Sequence, residues 1–192
     1  MGRPKLLLKV GRRTMIEKSV DTLLGSNIDE LIVVLGYRAE AISRKLASKN
    51  VETVINPHYR MGMSTSIRRG FDRVDPRCEA VLIALADQPF IETESINHLL
   101  DTYRRNPQGI VLPCYRGVRG HPVILDRIRY GKEMERITGD IGCKSILDRH
   151  PEDVLEVEVD SEGVVIDIDS WAEYRTRALP ERGFKGNDAE QA

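Results

Sequence analysis

Short apolar runs alternate along the chain with longer segments in which apolar residues recur at helical spacing. The run Ala80–Ala84 is typical of a strand buried on both faces of a parallel sheet. Glu30–Leu35 predicts a second buried strand, and Ile110–Tyr115 predicts another strand. The segment from Thr93 to Arg105 shows the helical spacing. Because the two kinds of segment alternate, the pattern predicts an α/β fold of right-handed β-α-β units with a mostly parallel sheet.

Local signals predict where several elements begin or end. Thr14 followed by Glu17 has the spacing of a capping box at a helix start. Thr93 is predicted to cap the helix that it begins. We expect a short extended segment at Leu6–Leu8, after a proline that disfavours a helix. Val154–Val159 alternates apolar and acidic residues, which predicts an edge strand.

The chain length of 192 residues suffices for one domain with a full hydrophobic core and argues against a second domain. We expect this domain to span residues 1–178. Residues 179–192 are polar and lack periodicity, so they are predicted to form a disordered tail.

The composition excludes several classes of protein. A hydrophobic content of 41%, a charged content of 31% and a formal net charge of −1 are typical of a soluble globular protein, not of one that binds nucleic acid or membranes. No run of about 18 apolar residues occurs. The three cysteines are widely separated and form no CxxC pair, which argues against a disulfide framework or cysteine zinc site and favours the reducing cytoplasm.

Carboxylates follow two of the apolar runs. Asp87 lies just beyond Ala80–Ala84, and ligands of open α/β sheets bind outside the carboxyl ends of the strands. Asp169 also follows an apolar run, and two carboxylates at one sheet edge would suit Mg²⁺. Asp167 is a competing candidate. The alternative is that these aspartates begin a turn or cap the following helix.

Two loops offer groups for binding anions. Asn56, Gly62, Ser64 and Ser66 lie between a predicted strand and the start of a helix, where free backbone N–H groups and hydroxyls attract anions. The alternative is simple capping by Ser64 or Ser66. The turn at Thr138–Gly142 offers N–H groups in the same way, although a plain glycine turn is the simpler interpretation.

His121 lies between a glycine and a proline, either as a functional or as a structural histidine. Lys5 lies in a basic N-terminal loop. The motifs GxxxxGK[ST], GxGxxG and GxSxG do not occur, so the sequence predicts no P-loop, no standard dinucleotide site and no hydrolase nucleophile elbow.

Taken together, the motifs resemble the nucleotidyltransferases that attach a nucleotide to molybdopterin, on the cytidylyltransferase branch of the MobA-like NTP transferase fold. Each motif is weak alone, but their common order along the chain is specific. The matching segments are Met1–Leu7, Asn56-Pro57, Gly62–Ser66, Asp87–Pro89, Arg119–Pro122, Thr138–Gly142 and Asp167–Asp169.

The resemblance implies a Rossmann-like, three-layer fold with helices on both faces of a twisted sheet. It implies transfer of CMP from CTP to the terminal phosphate of the molybdenum cofactor, with release of pyrophosphate. It also implies a molybdenum hydroxylase client that receives the product. By this resemblance Asp87 and Asp169 hold Mg²⁺ and Lys5 neutralises the triphosphate. By the same resemblance, the nucleotide would face Lys5, Asn56, Gly62, Ser64, Ser66 and Asp87. The acceptor would face His121, Thr138, Gly139 and Asp140.

The chain departs from the family pattern at its start. Family members begin with a strand that leads into a glycine-rich LAAGxSxR loop, whereas Met1 here aligns with a methionine after that loop. In the family's sheet that strand lies between those matching Glu30–Leu35 and Ala80–Ala84. We therefore expect a chain shortened by a misplaced start or a real truncation, with two unpaired strands, weak CTP binding and little activity.

Two other functions remain open at this point. One is a nucleotidyltransferase for a different phosphorylated acceptor, such as a sugar phosphate. The other is a non-catalytic chaperone that binds the molybdenum cofactor.

Overall fold

Strands and helices alternate along the computed structural model, which describes residues 4–178. Within these residues the strands are β1 (Lys9–Val10), β2 (Arg13–Thr14), β3 (Ile32–Leu35), β4 (Glu52–Ile55), β5 (Ala80–Ile83), β6 (Ile110–Tyr115), β7 (Val118–Arg119), β8 (Val123–Asp126) and β9 (Val154–Glu158). Because residues 179–192 lie outside the described residues, the expectation of a disordered tail stays a prediction.

The α-helices are α1 (Met15–Leu24), α2 (Ala39–Leu46), α3 (Met63–Phe71), α4 (Thr93–Arg105), α5 (Arg127–Met134), α6 (Lys144–Arg149) and α7 (Trp171–Glu173). Short 3₁₀ turns cover Lys5–Leu7, Tyr59–Met61, Pro151–Asp153 and Glu162–Val165, and a π turn covers Tyr174–Ala178. No helix within residues 4–178 has both the length and the apolar character needed to cross a bilayer.

The largest sheet has the order β5-β8-β6, with β9 and the hairpin strand β7 also paired to β6. Strands β5 and β6 are both antiparallel to β8, and β9 is parallel to β6, so β5, β6 and β9 run in one direction. Strands β3 and β4 pair in parallel as a separate two-stranded sheet. The predicted mostly parallel α/β arrangement is confirmed, with β8 inserted in the opposite direction.

Helices cover both faces of this sheet because successive residues of a strand point to opposite sides. On β6, Ile110 and Leu112 pack in one hydrophobic cluster with Met134 of α5 and Ile146 of α6. The intervening Val111 packs on the other face, in a cluster with Leu99 of α4. The three-layer prediction is confirmed by this alternation.

A gap separates β3 from β5. Within residues 4–178, no strand pairs with the edge of β5 that faces away from β8. The same holds for the edge of β3 that faces away from β4. A cavity of about 320 Å³, called here the β3–β5 slot, lies between them and is lined by residues of β3, β5, α1 and α3.

The slot corrects the expectation that Ala80–Ala84 is buried on both faces and that Glu30–Leu35 is a buried strand. All four residues of β5 are only half-buried, and in β3 only Leu35 is buried. Residues 110–112 of β6, by contrast, are completely buried. The difference arises because β6 has neighbours on both sides, whereas β3 and β5 each lack one among residues 4–178.

The predicted element ends have mixed outcomes. The Thr14–Glu17 capping box is present at the start of α1, and β9 lies at a sheet edge as predicted. The extended segment predicted at Leu6–Leu8 is wrong, because Lys5–Leu7 forms a 3₁₀ turn. Thr93 does not cap α4, since its hydroxyl donates to the carbonyl of Thr22 and Glu92 occupies the capping position.

Candidate active site

Lys5 joins the two carboxylates that were predicted to meet at the sheet edge. Its Nζ donates to Asp87 Oδ2 at 2.8 Å and to Asp169 Oδ1 at 2.5 Å. Asp87 lies just beyond β5, and Asp169 lies just before α7. The structure therefore brings Lys5 together with Asp87 and Asp169, which lie 82 and 164 positions away from it in the sequence.

The partial burial of this cluster strengthens the ion pairs. The side chains of Lys5 and Asp87 are 24% and 29% exposed, whereas that of Asp169 is 69% exposed. Burial alone would lower the pKa of Lys5, but the hydrogen bonds and charges of Asp169 and Asp87 outweigh it and raise the pKa. Lys5 is therefore a fixed positive charge at neutral pH.

Neighbouring groups hold Asp169 in place. The backbone N–H groups of Asp169 and Ser170 both donate to Glu173 Oε2, at 2.8 and 2.7 Å. Ser170 and Glu173 complete a capping box at the start of α7. The N–H of Ile168 donates to the carbonyl of Asp87 at 3.2 Å, which ties the two aspartate segments together.

The Lys5 cluster, which comprises Lys5, Asp87 and Asp169, carries charges that shift the pKa values of Asp167 and His121. Burial raises the pKa of Asp167, the charges of Asp87 and Asp169 raise it further, and a hydrogen bond with Gln88 opposes the shift. Burial lowers the pKa of His121, and the charges of Asp167 and Asp87 only partly offset this. Asp167 therefore binds a proton more readily, and His121 less readily, than the same side chain does in solution.

The lowered pKa of His121 predicts that acid destabilises the fold through this residue. Below the ordinary histidine pKa of about 6.5, the unfolded chain binds a proton that folded His121 resists, so unfolding becomes easier. Asp167 acts in the opposite direction, because its raised pKa favours the folded state in acid. We therefore expect His121→Gln to lose stability less steeply than the wild type between pH 7 and 5.

Urea unfolding of both proteins across this pH range measures the effect. His98→Gln, at an exposed histidine of α4, is the matched control and should keep the wild-type slope. Equal slopes for wild type and His121→Gln would contradict the prediction.

The predicted nucleotide-binding residues other than Lys5 and Asp87 form a second group around the start of α3. Asn56 is 3% exposed, and its Nδ2 donates to Thr65 Oγ1 at 2.9 Å and to Ser66 Oγ at 3.0 Å. The hydroxyl of Ser64 is buried and has no hydrogen-bond partner within residues 4–178. Asn56 thus ties the end of β4 to the start of α3. Its contact with a nucleoside stays a prediction.

The two loops that were assigned to different substrates touch each other. The N–H of Met63 donates to Asp140 Oδ1 at 2.8 Å, and the N–H of Ser64 donates to the Gly139 carbonyl at 3.2 Å. Gly62 has φ +105°, and a Cβ at this position would lie 2.5 Å from the Gly139 oxygen. Asp140 therefore satisfies the first N–H of α3, where a bound anion would also lie.

Gly62→Ala should destabilise the protein by about 2 kcal/mol, because a side chain is strained at this positive φ and meets the Gly139 carbonyl. Gly139→Ala is the matched control, since its φ is +78° but a Cβ would have nothing within 4 Å. It should cost about 1 kcal/mol from strain alone. Urea unfolding of the two variants measures both, and equal losses would contradict the contact between the loops.

The predicted acceptor residues are divided between these groups. His121 interacts with the charges of the Lys5 cluster, whereas Gly139 and Asp140 contact the segment Gly62–Ser66 at the start of α3, called here the α3 loop. Thr138 is exposed and lines a surface cavity of about 340 Å³. Three basic residues, Lys132, Arg136 and Arg149, line the same cavity together with Glu133, which pairs with Arg149 at 2.5 Å.

The β3–β5 slot connects the Lys5 cluster and the α3 loop. Ser66 of α3 and Ala86, next to Asp87, both line it. Ser19 of α1 donates to the Ala86 carbonyl at 3.1 Å and so fixes the end of the segment that carries Asp87. Sequence reasoning missed Ser19, which belongs to no local pattern, and assigned no role to Gln88 within the Asp87–Pro89 motif. Glu173 had a detectable signal, its spacing from Ser170.

The donor set fits a divalent cation of the magnesium type. Asp87 and Asp169 direct carboxylate oxygens at one positive centre, the Lys5 ammonium. Within residues 4–178 no group of three or more His, Cys, Asp or Glu side chains is arranged to hold an ion. Such a cation would therefore take two carboxylates from the protein and its other ligands from water or phosphates, which is the usual pattern for Mg²⁺.

Comparison with known proteins identifies the domain type. A family model described as a MobA-like NTP transferase domain matches residues 1–154. Nicotine blue oxidoreductase of Paenarthrobacter nicotinovorans is 28% identical over 178 residues, covering 88% of this chain and 86% of that protein. Molybdenum cofactor cytidylyltransferase of Escherichia coli (strain K12) is 24% identical over 177 residues, covering 92% and 88%.

A solved structure shares the fold. A protein of Mycobacterium tuberculosis H37Rv, crystallised in complex with manganese, superimposes with a TM-score of 0.79 at 28% identity. The match covers 92% of each chain.

Proposed function

The chain belongs to the MobA-like NTP transferase family, and on that premise we propose that it transfers CMP from CTP to the terminal phosphate of molybdopterin or its molybdenum-loaded form. In this reaction an acceptor phosphate oxygen bonds to the α-phosphorus of CTP. The bond from that phosphorus to the oxygen bridging to the β-phosphate breaks, and pyrophosphate leaves. A molybdenum hydroxylase is the proposed client for the product, and the three free cysteines fit a cytoplasmic setting.

The observation that carries the proposal is the convergence of Lys5, Asp87 and Asp169. Transfer of this kind depends on positioning and on neutralising phosphate charge, more than on covalent chemistry by the protein. Lys5 would contact the triphosphate. Asp87 and Asp169 would hold Mg²⁺, which supplies positive charge to the phosphates when bound.

The α3 loop and its partner turn would position the two substrates. Gly62, Ser64 and Ser66 with Asn56 would face the nucleotide at the start of α3. The acceptor side would comprise His121, Gly139, Asp140 and Thr138 with its basic cavity. The direct contact between Met63 and Asp140 supports adjacent rather than distant substrate sites.

The similarity to nicotine blue oxidoreductase makes the oxidation or reduction of nicotine blue a second candidate function. The sequence has no GxGxxG motif for a dinucleotide cofactor. The Lys5 cluster gathers charged groups suited to phosphates, which favours the transferase.

Transfer of label from CTP radiolabelled at the α-phosphate tests the proposal. The full chain is mixed with Mg²⁺ or Mn²⁺ and molybdopterin, with GTP and ATP as competing donors and a sugar phosphate as the competing acceptor. Label on the pterin from CTP alone is the expected result, and EDTA should abolish it.

Other outcomes would identify the alternatives. Label on the sugar phosphate would show that this molecule, and not the pterin, is the acceptor. Preference for GTP would show that GTP, and not CTP, is the donor. Pterin binding without transfer would indicate a carrier of the cofactor. Oxidation or reduction of nicotine blue, without label transfer, would favour the oxidoreductase.

A further inference from the structure

Trp171 is the single tryptophan of the chain, and its indole is exposed close to the Lys5 cluster. Its exposed fraction is 38%, although a tryptophan side chain is largely apolar. It lies two residues after Asp169, at the first position of α7. Because consecutive Cα atoms are about 3.8 Å apart, its Cα lies within about 8 Å of the Cα of Asp169. The indole can therefore reach a ligand that Asp169 helps to hold.

The contacts around Trp171 fix its position. Its ring meets that of Tyr174 edge-on, with the centroids 5.5 Å apart and the planes at 80°. Tyr174 is itself buried, and its hydroxyl donates to the carbonyl of Lys9 at 2.7 Å. The segment from Lys5 to Lys9 is thus bonded to Asp169 before the tryptophan and to Tyr174 after it. An indole supported in this way loses little conformational freedom when a ligand packs on its exposed surface.

We propose that Trp171 stacks on the planar pterin ring of the acceptor while the acceptor phosphate lies at the Lys5 cluster. The inference rests on the proposed function and adds a residue that determines specificity. Aromatic side chains stack on the faces of planar heterocycles, a contact that a ligand without such a ring does not make. Trp171 would therefore favour a pterin over an acceptor whose phosphate is attached to a group without an aromatic ring.

The location of Trp171 favours the acceptor ring over the cytosine of CTP, which is also planar. Asn56 and the α3 loop, which are proposed to face the nucleotide, are hydrogen-bonded to each other around the start of α3. His121, a proposed acceptor residue, instead donates its N–H to the carbonyl of Val164 at 2.9 Å and interacts with the charge of Asp167. The stretch from Val164 to Trp171 therefore carries both the contact with His121 and the exposed indole.

Binding of neopterin monophosphate, a pterin with a phosphate on its side chain, tests the proposal on the full chain with Mg²⁺ present. The fluorescence anisotropy of the pterin measures its affinity without any nucleotidyl transfer. We expect Trp171→Ala to weaken binding about tenfold, and Trp171→Phe, which keeps an aromatic ring, to weaken it about threefold or less. The affinity for CTP, measured by calorimetry, should not change. In the wild type, the indole proton resonances of the single tryptophan should move upfield when the pterin binds.

Ile128→Ala is the matched control, because it also removes a large apolar side chain from the surface, one that is 84% exposed. Ile128 follows Asp126, which pairs with Ala80 at the beginning of β5, whereas Asp87 lies beyond the other end of that strand. This variant should bind the pterin with the wild-type affinity. Urea unfolding of every variant separates loss of stacking from loss of folded protein.

Each contrary result has its own meaning. Equal pterin binding by the wild type and Trp171→Ala would overturn the stacking and leave the proposed acceptor standing. Weaker binding of CTP, with pterin binding unchanged, would overturn it by assigning the indole to the nucleotide base. Failure of the wild type to bind the pterin would overturn the proposed acceptor and the stacking together. If Trp171→Ala did not fold, indole resonances that stay in place on pterin binding to the wild type would overturn the stacking.

Discussion

Asp87→Asn should lower the rate of nucleotidyl transfer about a thousandfold while leaving the fold intact. The substitution keeps the side-chain volume but removes the charge that Asp87 presents to Lys5 at 2.8 Å. Lys5 would keep only Asp169, whose side chain is 69% exposed, so both the cation site and the orientation of the ammonium would be weakened. Initial rates of label transfer at saturating CTP measure the loss.

Asp148→Asn is the matched control, because Asp148 is an exposed aspartate of α6 outside the Lys5 cluster. It should retain the wild-type rate. Urea unfolding of both variants separates loss of chemistry from loss of folded protein. A rate for Asp87→Asn within tenfold of the wild type would remove Asp87 from the reaction.

Gly163→Ala should destabilise the protein by about 3 kcal/mol, a large part of the stability of an ordinary domain. A Cβ on the buried Gly163 would lie 2.0 Å from the carbonyl oxygen of Phe90, which is backbone and cannot move aside cheaply. Phe90 follows the Asp87 segment, and Gly163 precedes the Asp169 segment. The alanine therefore separates the two carboxylates that Lys5 joins.

Gly131→Ala in α5 is the control, since its Cβ would meet Phe71 at an ordinary distance of 3.4 Å. Replacing a helical glycine with alanine should leave the protein as stable or up to about 1 kcal/mol more stable. Urea unfolding compares the two variants, and label transfer should fall only for Gly163→Ala. If both variants matched the wild type in stability, the close packing at Phe90 would be refuted.

Much of the fold could be predicted because its signals are local. The apolar run at Ile110–Tyr115 forms a strand, and the spacing of Thr14 and Glu17 produces a capping box. The burial of Ala80–Ala84 could not be predicted in the same way, because it depends on a neighbouring strand. Leu6 lies in a 3₁₀ turn because it packs against two hydrophobic clusters, a tertiary effect that its sequence neighbours do not reveal.

The site was predictable where a residue follows a strand or belongs to a recognised motif. Asp87 is an example of the first kind, and the role predicted for Lys5 came from the family resemblance. The pairing of Lys5 with Asp169 was not predicted. Gly163 escaped prediction because its role comes from an approach of two backbones that are distant in sequence. The division of the predicted acceptor residues between two groups also depends on tertiary structure.

The contact of Asp140 with the N–H of Met63 has a thermodynamic consequence for the affinities of two ligands, one bound at each loop. A ligand that draws Asp140 away from α3 exposes an N–H group to an anion, and an anion bound there displaces Asp140 in turn. Coupling between two sites is reciprocal, so each ligand changes the affinity of the other by the same factor. Occupancy of one loop is thereby communicated to the other through a single hydrogen bond.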